Sequence, residues 1–236
     1  MKLLTLGNTK TVKGEALGYQ TYIMHLAPAR MSGYQVCPMA SAGCASACLN
    51  TAGRGRFTRT QEARVRKTKW FFEDRASFLA ALVKDIEAAI RKSKRENFIP
   101  VFRLNGTSDI RWETVGLHME VKRRNGVQVV HANNVMDLFP EVQFYDYTKL
   151  ANRTMLPKNY HLTFSRSEVN EQELLTTPHN IAVVFDKLPA TYMGREVIDG
   201  TETDLRFMDA PNVVVGLLAK GKGKKDMSGF VVQTAA

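Results

Sequence analysis

Two stretches of the chain place apolar residues at helical spacing. Between residues 76 and 93 the apolar positions form one stripe, made of Phe78, Leu79, Leu82, Val83, Ile86, Ala89 and Ile90. This period predicts an amphipathic helix with one face in the core. A preceding helix is predicted from Thr58 to about Glu73, because Thr58-x-x-Gln61 has the form of a capping box.

After Asn97 the pattern changes to short apolar runs separated by polar or helical segments. With one earlier run, the predicted strands are Thr21–Leu26, Ile99–Leu104, Val127–His131, Gln143–Tyr147, His161–Phe164, Ile181–Phe185, Asn212–Leu217 and Phe230–Gln233. Short helices are predicted at Trp112–Arg123, Val135–Phe139 and Glu168–Leu175. Alternation of this kind favours a parallel sheet or a partial barrel.

We therefore predict one α/β domain spanning residues 1–236, with a partial TIM-barrel-like sheet and surrounding helices. Within it, residues 1–57 form an N-terminal segment with a cysteine loop. Residues 58–95 form a basic helical pair, and residues 96–236 form the barrel-like portion.

Polar residues follow directly after several of the predicted strands. In α/β folds the functional side chains gather at the carboxyl ends of the strands. The catalytic candidates on this criterion are Asp109, Asp146, Lys149, Ser165 and Asp186, and the cofactor-binding candidates are Arg103, Asn105 and Arg166. The alternative for each is an ordinary polar loop in contact with water.

All three cysteines of the chain lie within one short segment, as Cys37, Cys44 and Cys48. Their spacing is C-x6-C-x3-C, so Cys44 and Cys48 would share a face of a helix. An odd number of cysteines argues against a disulfide framework. The residues between them are mostly Ala, Ser and Gly, which allow the backbone to pack closely around a bound group.

Three clustered thiolates suit a [4Fe–4S] cluster in which one iron keeps a position for another ligand. They also suit zinc, with a fourth ligand from one of the histidines, which are His25, His118, His131, His161 and His179. Zinc sites more often use close cysteine pairs separated by a longer interval. The compact trio therefore favours the cluster, while zinc and free thiols stay open as alternatives.

The chain is basic, with a net charge of +10. Much of the excess positive charge lies between Arg54 and Arg95, where the sequence has thirteen Lys or Arg residues and five acidic ones. Such a surface attracts phosphate-rich partners, although a solvated helix face explains it as well. Arg64, Lys67 and Lys69 could likewise bind an anionic group or lie on a solvated helix face, and we expect the solvated face.

No apolar run is long enough to cross a bilayer, which predicts a cytoplasmic protein without a membrane partner.

Several segments together resemble the phage proteins called gene-product-88-like. They are Cys37-Pro38-x4-Gly43-Cys44-x3-Cys48-Leu49, Gly53-Arg54-Gly55-Arg56-Phe57, Arg64-x2-Lys67-Thr68, Arg103-Leu104-Asn105-Gly106-x-Ser108-Asp109, Asp199-Gly200-x3-Asp204-x-Arg206-x2-Asp209 and Val215-Gly216-Leu217-x2-Lys220-Gly221. The resemblance implies an iron–sulfur protein with a radical-SAM-like barrel, located in the cytoplasm of an infected host cell. It does not imply a particular reaction.

Three functions remain open from the sequence. In the first, an open iron acts as a Lewis acid in the hydrolysis of an ester or amide of a small-molecule substrate. In the second, the protein is a radical enzyme that cleaves S-adenosylmethionine, although its cysteine spacing differs from the usual C-x3-C-x2-C of such enzymes. In the third, the protein is no enzyme, and it senses redox state or binds nucleic acid through its basic helices.

Overall fold

The described residues form eleven strands, of which nine make one sheet and the other two a separate hairpin. The computed structural model describes residues 1–6 and 9–234, without the side chains of residues 9 and 10. The predicted domain span also includes residues 7, 8, 235 and 236, which lie outside the described residues. The strands are β1 (Leu4–Leu6), β2 (Tyr19–Met24), β3 (Ile99–Arg103), β4 (Leu117–Arg123), β5 (Gly126–Ala132), β6 (Gln143–Thr148), β7 (Tyr160–Ser165), β8 (Ile181–Phe185), β9 (Thr191–Tyr192), β10 (Arg195–Asp199) and β11 (Val214–Leu218).

The order of strands in the large sheet is β1-β2-β3-β6-β7-β8-β11-β10-β9. The seven strands from β2 to β10 in this order run parallel, and β1 and β9 lie antiparallel at the two edges. The sheet is open, because no pairing between described residues joins β1 to β9. The mixed α/β class is therefore confirmed, whereas a TIM-barrel-like sheet is not.

Six helices accompany the strands. They are α1 (Thr9–Glu15), α2 (Ala42–Ser46), α3 (Thr58–Glu73), α4 (Arg75–Arg95), α5 (Val135–Leu138) and α6 (Glu171–Thr176). The two long helices were predicted almost to the residue. The predicted capping box does not form, because Phe57 takes the cap position of α3 and makes no side-chain cap hydrogen bond. None of the described helices combines the length and the apolar character that a bilayer crossing requires.

The main core lies between one face of the sheet and helices α3 and α4. On the strands, Tyr22, Phe102 and Phe144 point to this face, where they join Phe78 and Ile86 of α4 in one buried cluster. Successive strand residues point to opposite faces. Val101 and Tyr145 therefore meet Leu205 on the other side of the sheet.

The predicted helix Trp112–Arg123 is wrong. Only Trp112–Thr114 form a short 3-10 turn, and strand β4 follows as half of the β4–β5 hairpin. Leu117, Met119 and Val121 are buried while the residues between them are exposed, which is the two-residue period of a strand. Their hydrophobic face packs on α4, so that tertiary burial decides the structure of this segment.

Two further segments differ from the prediction. Phe230–Gln233 form no strand, and only Val232 makes an isolated bridge, to Phe185. The helix expected from Glu168 begins at Glu171 instead. Glu168 thereby stays in the loop after β7, where its carboxylate is free to reach the cysteine segment.

A buried carboxylate joins β3, β6 and β7. Asp146 on β6 is fully buried, and it accepts hydrogen bonds from the backbone N–H groups of Leu104 (3.3 Å) and Asn105 (2.9 Å) and from the Tyr160 hydroxyl (3.0 Å). Burial raises the pKa of Asp146 to about 7, against the opposing effect of Arg103 and of these hydrogen bonds. The group is therefore partly protonated in the folded protein near neutral pH.

Asp146→Asn is expected to flatten the pH dependence of stability. Between the unfolded pKa of about 3.9 and the folded value of about 7, the folded state holds a proton that the unfolded state has lost. Rising pH in this window therefore lowers the free energy of unfolding, by up to about 1.4 kcal/mol per pH unit. Urea unfolding from pH 4 to 7 measures this slope, and we expect the variant to lose it.

Asp186→Asn serves as the control for this measurement. Asp186 is exposed, and hydrogen bonds from the Thr234 and Lys187 backbone lower its pKa. It is ionised in both states through most of the window, so its substitution is expected to leave the slope in place. An unchanged slope in Asp146→Asn would contradict the assignment.

Candidate functional site

The cysteine segment lies at the carboxyl edge of the parallel sheet. It leaves the end of β2 and returns into α3, and the loop after β3 lies beneath it. Two backbone hydrogen bonds join these loops, from the N–H of Gly106 to the carbonyl of Met24 (2.9 Å) and from the N–H of Asp109 to the carbonyl of Val36 (2.7 Å). The segment is therefore fixed to the sheet on its β3 side.

Glu168 attaches the segment on its other side. Its carboxylate accepts hydrogen bonds from the Ser41 hydroxyl and from the backbone N–H of Gly43, both at 2.7 Å. The Ser41 hydroxyl oxygen in turn accepts from the N–H of Cys44 (3.1 Å), which caps α2. A loop residue after β7 thus sets the position of the helix that carries Cys44.

Gly43 sits where no side chain fits. A Cβ placed on it would lie 2.2 Å from the Ser228 hydroxyl oxygen and 2.7 Å from both the Glu168 carboxylate and Phe230 Cβ. The α2 backbone therefore packs directly against the segment after β11. This close approach explains a glycine immediately before Cys44.

The three thiols are free and half-buried, and each of Cys44 and Cys48 acts electrostatically on Cys37. Burial raises the pKa of Cys37 to about 11, and the charges of Cys48, Asp109 and Cys44 raise it further. Burial also raises the pKa of Cys48, with a contribution from Cys44. The Cys37 sulfur accepts a hydrogen bond from the N–H of Ala29 at 3.4 Å. Within the described part of the chain, no three His, Cys, Asp or Glu side chains form a group that could hold a single metal ion.

A buried guanidinium lies beside these thiols. Arg64 of α3 is 9 % exposed, and it donates a hydrogen bond to the Asn50 side-chain carbonyl. Its Nε has no hydrogen-bond partner, and no ion pair joins it to a carboxylate among the described residues. The positive charges of Arg64 and Lys149 lower the pKa of Cys48, against burial. Arg64 is thus a buried cation whose nearest anionic complement would be a thiolate.

The expectation of a solvated face is wrong for both Arg64 and Lys67, whereas Lys69 is exposed. Lys67 is buried, and its ammonium donates to the carbonyl of Leu3 (2.8 Å). Burial lowers its pKa to about 8. Two of the cations on α3 therefore point into the protein.

Among the histidines, His25 lies nearest to this group, because it shares the neighbour Arg64 with Cys48. Burial lowers the pKa of His25 to about 3, so its ring is neutral. His118 and His131 oppose each other on the exposed face of the β4–β5 hairpin, with their Nδ1 atoms 3.2 Å apart. They lie in a part of the fold separate from the cysteine segment.

Two of the predicted catalytic residues meet directly. The Lys149 ammonium donates a hydrogen bond to the Ser165 hydroxyl oxygen (3.0 Å) and lies over the Phe230 ring, 5.6 Å from its centroid. The Asp109 carboxylate accepts from the backbone N–H of Lys149 (2.7 Å). The charge of Lys149 also lowers the pKa of Cys48, so Lys149 lies within electrostatic range of that thiol.

Arg153 holds Asp109 in place. Its side chain is fully buried, and its guanidinium donates to Asp109 (3.2 Å), to Glu113 (2.9 and 2.6 Å) and to the Tyr160 hydroxyl (3.0 Å). The other oxygen of Asp109 remains for Lys149. One buried cation thereby fixes the orientation of the carboxylate that positions Lys149.

The other candidate residues lie in the framework around the site. Both oxygens of Asp146 accept hydrogen bonds inside the fold, and Arg103 pairs with Asp204 (2.6 Å) on the far face of the sheet. The Asn105 side chain is buried and closes the loop up to Trp112. Arg166 donates to the carbonyls of Gly229 and Phe230 and to Glu171, and Asp186 binds Thr234 at the surface. The structure thus brings Asp109, Lys149 and Ser165 together, and these five lie outside that group.

A family model described as gene product 88 matches residues 2–234. The chain belongs to the gene product 88 family. This membership confirms the resemblance and supports a phage protein, without indicating a cofactor or a reaction. No curated protein and no solved structure gives a significant match to the chain.

Three residues of the candidate site were not predicted from the sequence. Glu168 follows β7 only three residues after Ser165, so the strand-end criterion was sufficient to find it. Arg153 and Asn50 offered no such signal. They act through partners that are distant in the sequence, and only the fold brings those partners to them.

Gly43→Ala is expected to displace α2. The added methyl group would overlap Ser228 and the Phe230 Cβ, and the Phe230 carbonyl is held by a hydrogen bond from the Arg166 guanidinium. Overpacking of this kind costs about 1–3 kcal/mol of unfolding free energy. Gly116→Ala is the matched control, since its nearest neighbour would be 3.9 Å away. Equal melting temperatures of the two variants would contradict the close packing at Gly43.

Proposed function

We propose that this protein binds a [4Fe–4S] cluster through Cys37, Cys44 and Cys48 and uses it to hydrolyse an ester or amide bond of a small molecule. The observation that supports the proposal is a buried guanidinium without an ion-pair partner among the described residues, that of Arg64, which acts electrostatically on Cys48 in a segment with three free thiols. Buried charge is costly unless an opposite charge compensates it. Thiolates that carry a cluster would supply this compensation to Arg64.

The donor set fits a cluster. Thiolates are the usual ligands of iron–sulfur clusters, and hydrogen bonds to sulfur tune them. The N–H of Ala29 already points at the Cys37 sulfur. Zinc bound by the same three thiolates and a fourth ligand is the alternative, and a count of iron, sulfide and zinc separates the two.

Loading the site requires deprotonated thiols. Burial opposes this step at Cys37 and Cys48, as their raised pKa values show. Arg64 and Lys149 favour it at Cys48, because their charges lower its pKa. The cations around the thiols therefore act in the direction that cluster binding needs.

When bound, the cluster would supply a Lewis-acidic iron with one position that cysteine does not fill. The protein's own contribution comes from Lys149 and Ser165. The Lys149 ammonium orients the Ser165 hydroxyl and can stabilise negative charge that develops on a carbonyl oxygen. Because its oxygen accepts from this ammonium, the Ser165 hydroxyl can direct its own hydrogen to a substrate oxygen. Asp109 is a positioning residue, because it acts through the backbone of Lys149.

A second candidate is a radical enzyme that cleaves S-adenosylmethionine. The observation that favours it is the run of parallel strands β2, β3, β6, β7 and β8 in sequential order, with the cysteine loop at the end of the first. The C-x6-C-x3-C spacing opposes it. Consumption of S-adenosylmethionine under reducing, oxygen-free conditions separates this candidate from hydrolysis.

Protein purified without oxygen is expected to be brown and to contain about four iron and four sulfide per chain. Cys44→Ser is expected to lose most of both, because serine is a poorer ligand for these irons. The measurements are the visible spectrum and the counts of iron and sulfide. Ser46→Ala, an exposed neighbour on α2, is the matched control. A colourless wild-type protein that holds one zinc ion would contradict the cluster.

Lys149→Met and Ser165→Ala are each expected to lower kcat by about 100-fold or more on any ester or amide that the loaded protein hydrolyses. Both variants should retain the iron content of the wild type, since neither residue is a ligand. Lys158→Met, at an exposed site, controls for the loss of a lysine. Hydrolysis that persists in Lys149→Met, or in protein without a cluster, would contradict this mechanism.

A further inference from the structure

We propose that the cleft between α4 and the β4–β5 hairpin binds the phosphate backbone of a nucleic acid. This cleft has a volume of about 530 Å³ and shares no lining residue with the cysteine site. The proposal is independent of the cluster, because it depends only on residues of the cleft.

Basic side chains line both walls of the cleft. Lys84 and Arg91 project from α4, and Lys122 and Arg124 project from the hairpin near its turn. All four are exposed. The two remaining lining residues are Glu87 and Arg123, which face each other across the cleft. Cations from two separate elements of the fold therefore converge on one space.

Glu87 supplies the one carboxylate in the lining of this cleft, and it already forms an ion pair. Glu87 is three residues after Lys84 and four before Arg91, spacings at which it would pair with either on a helix. Instead, its two oxygens accept hydrogen bonds from the two terminal nitrogens of Arg123. Within the described chain, no ion pair joins Lys84, Arg91, Lys122 or Arg124 to an acid.

A second cleft of about 320 Å³ shares Arg91 with the first. Lys2 and Arg95 add basic groups to its walls, whereas Lys92 is paired with Glu96 and Asp85 adds one acid. At a rise of about 1.5 Å per residue, Lys84, Arg91 and Arg95 lie at intervals of about 10 and 6 Å along α4. A line of cations of this length matches a repeating polyanion better than a single phosphate.

The lining of the first cleft also indicates how it would bind. It holds no aromatic ring on which a base could stack and no amide side chain that could read a base edge. Contacts of Lys and Arg to phosphates position a nucleic acid without reading its sequence. We therefore expect binding that depends strongly on salt and only weakly on sequence.

The test compares two variants with the same change of net charge. In the cleft variant, Lys84, Arg91, Lys122 and Arg124 are replaced by Gln. In the control variant, Gln replaces four other exposed lysines, which are Lys220, Lys222, Lys224 and Lys225. Fluorescence anisotropy measures the affinity of each for single-stranded DNA, single-stranded RNA and duplex DNA at salt concentrations from about 50 to 200 mM.

For the wild type we expect log K to fall linearly with log salt. Each phosphate contact contributes about 0.9 to the slope on duplex DNA and about 0.7 on single strands. In the cleft variant the magnitude of the slope of log K against log salt should fall by about 2–3, and binding at about 100 mM salt should be at least tenfold weaker. The slope and affinity of the control variant should stay near those of the wild type. The probe that the wild type binds most tightly at about 100 mM salt identifies the kind of nucleic acid.

Equal losses in the two variants would overturn the proposal, because net charge alone would then explain the binding. Absence of wild-type binding at about 100 mM salt would overturn it too, as would equal competition by polyglutamate, which carries no phosphate. Iron content and melting temperature are measured on both variants and are expected to match the wild type. Loss of nucleic-acid binding with full iron content leaves the cluster proposal standing, so the two can fail separately.

Discussion

The buried guanidinium of Arg153 is the interaction on which the polar edge of the sheet depends. It joins the loop after β3, through Asp109 and Glu113, to the start of β7, through Tyr160. Removing one partner of such a buried network costs about 3–5 kcal/mol, because the charges that remain lose their compensation. The orientation of Asp109, and through it the place of Lys149, follows from this one side chain.

The strand-end criterion predicted much of the site, because it uses a property that all parallel sheets share. Asp109, Lys149 and Ser165 were found in this way, and the structure brings them together. Asp146 satisfied the same criterion, yet it points inward and binds the backbone of β3. The sequence does not tell which strand-end side chains point into a site and which point into the core, because this depends on the neighbouring strands.

Helix α4 could be predicted because its apolar stripe is regular, whereas α3 was predicted from a capping box that does not form. The helix predicted over Trp112–Arg123 failed although the residues from Leu117 onward alternate strictly, which is the period of a strand. The burial of Arg64 and Lys67 was a different case. Lys67 donates to the carbonyl of Leu3, 64 residues earlier in the chain, so its position depends on a long-range contact that no local pattern encodes.

The attachment of α2 to Glu168 and to the segment around Ser228 has a consequence for the order of assembly. Ser41 and Gly43 belong to the first quarter of the chain, and the residues that hold them belong to the last third. On the ribosome the cysteine segment emerges long before those partners exist. The thiols therefore reach their final arrangement only after nearly the whole protein has been synthesised, which makes maturation of this site a late, post-translational event.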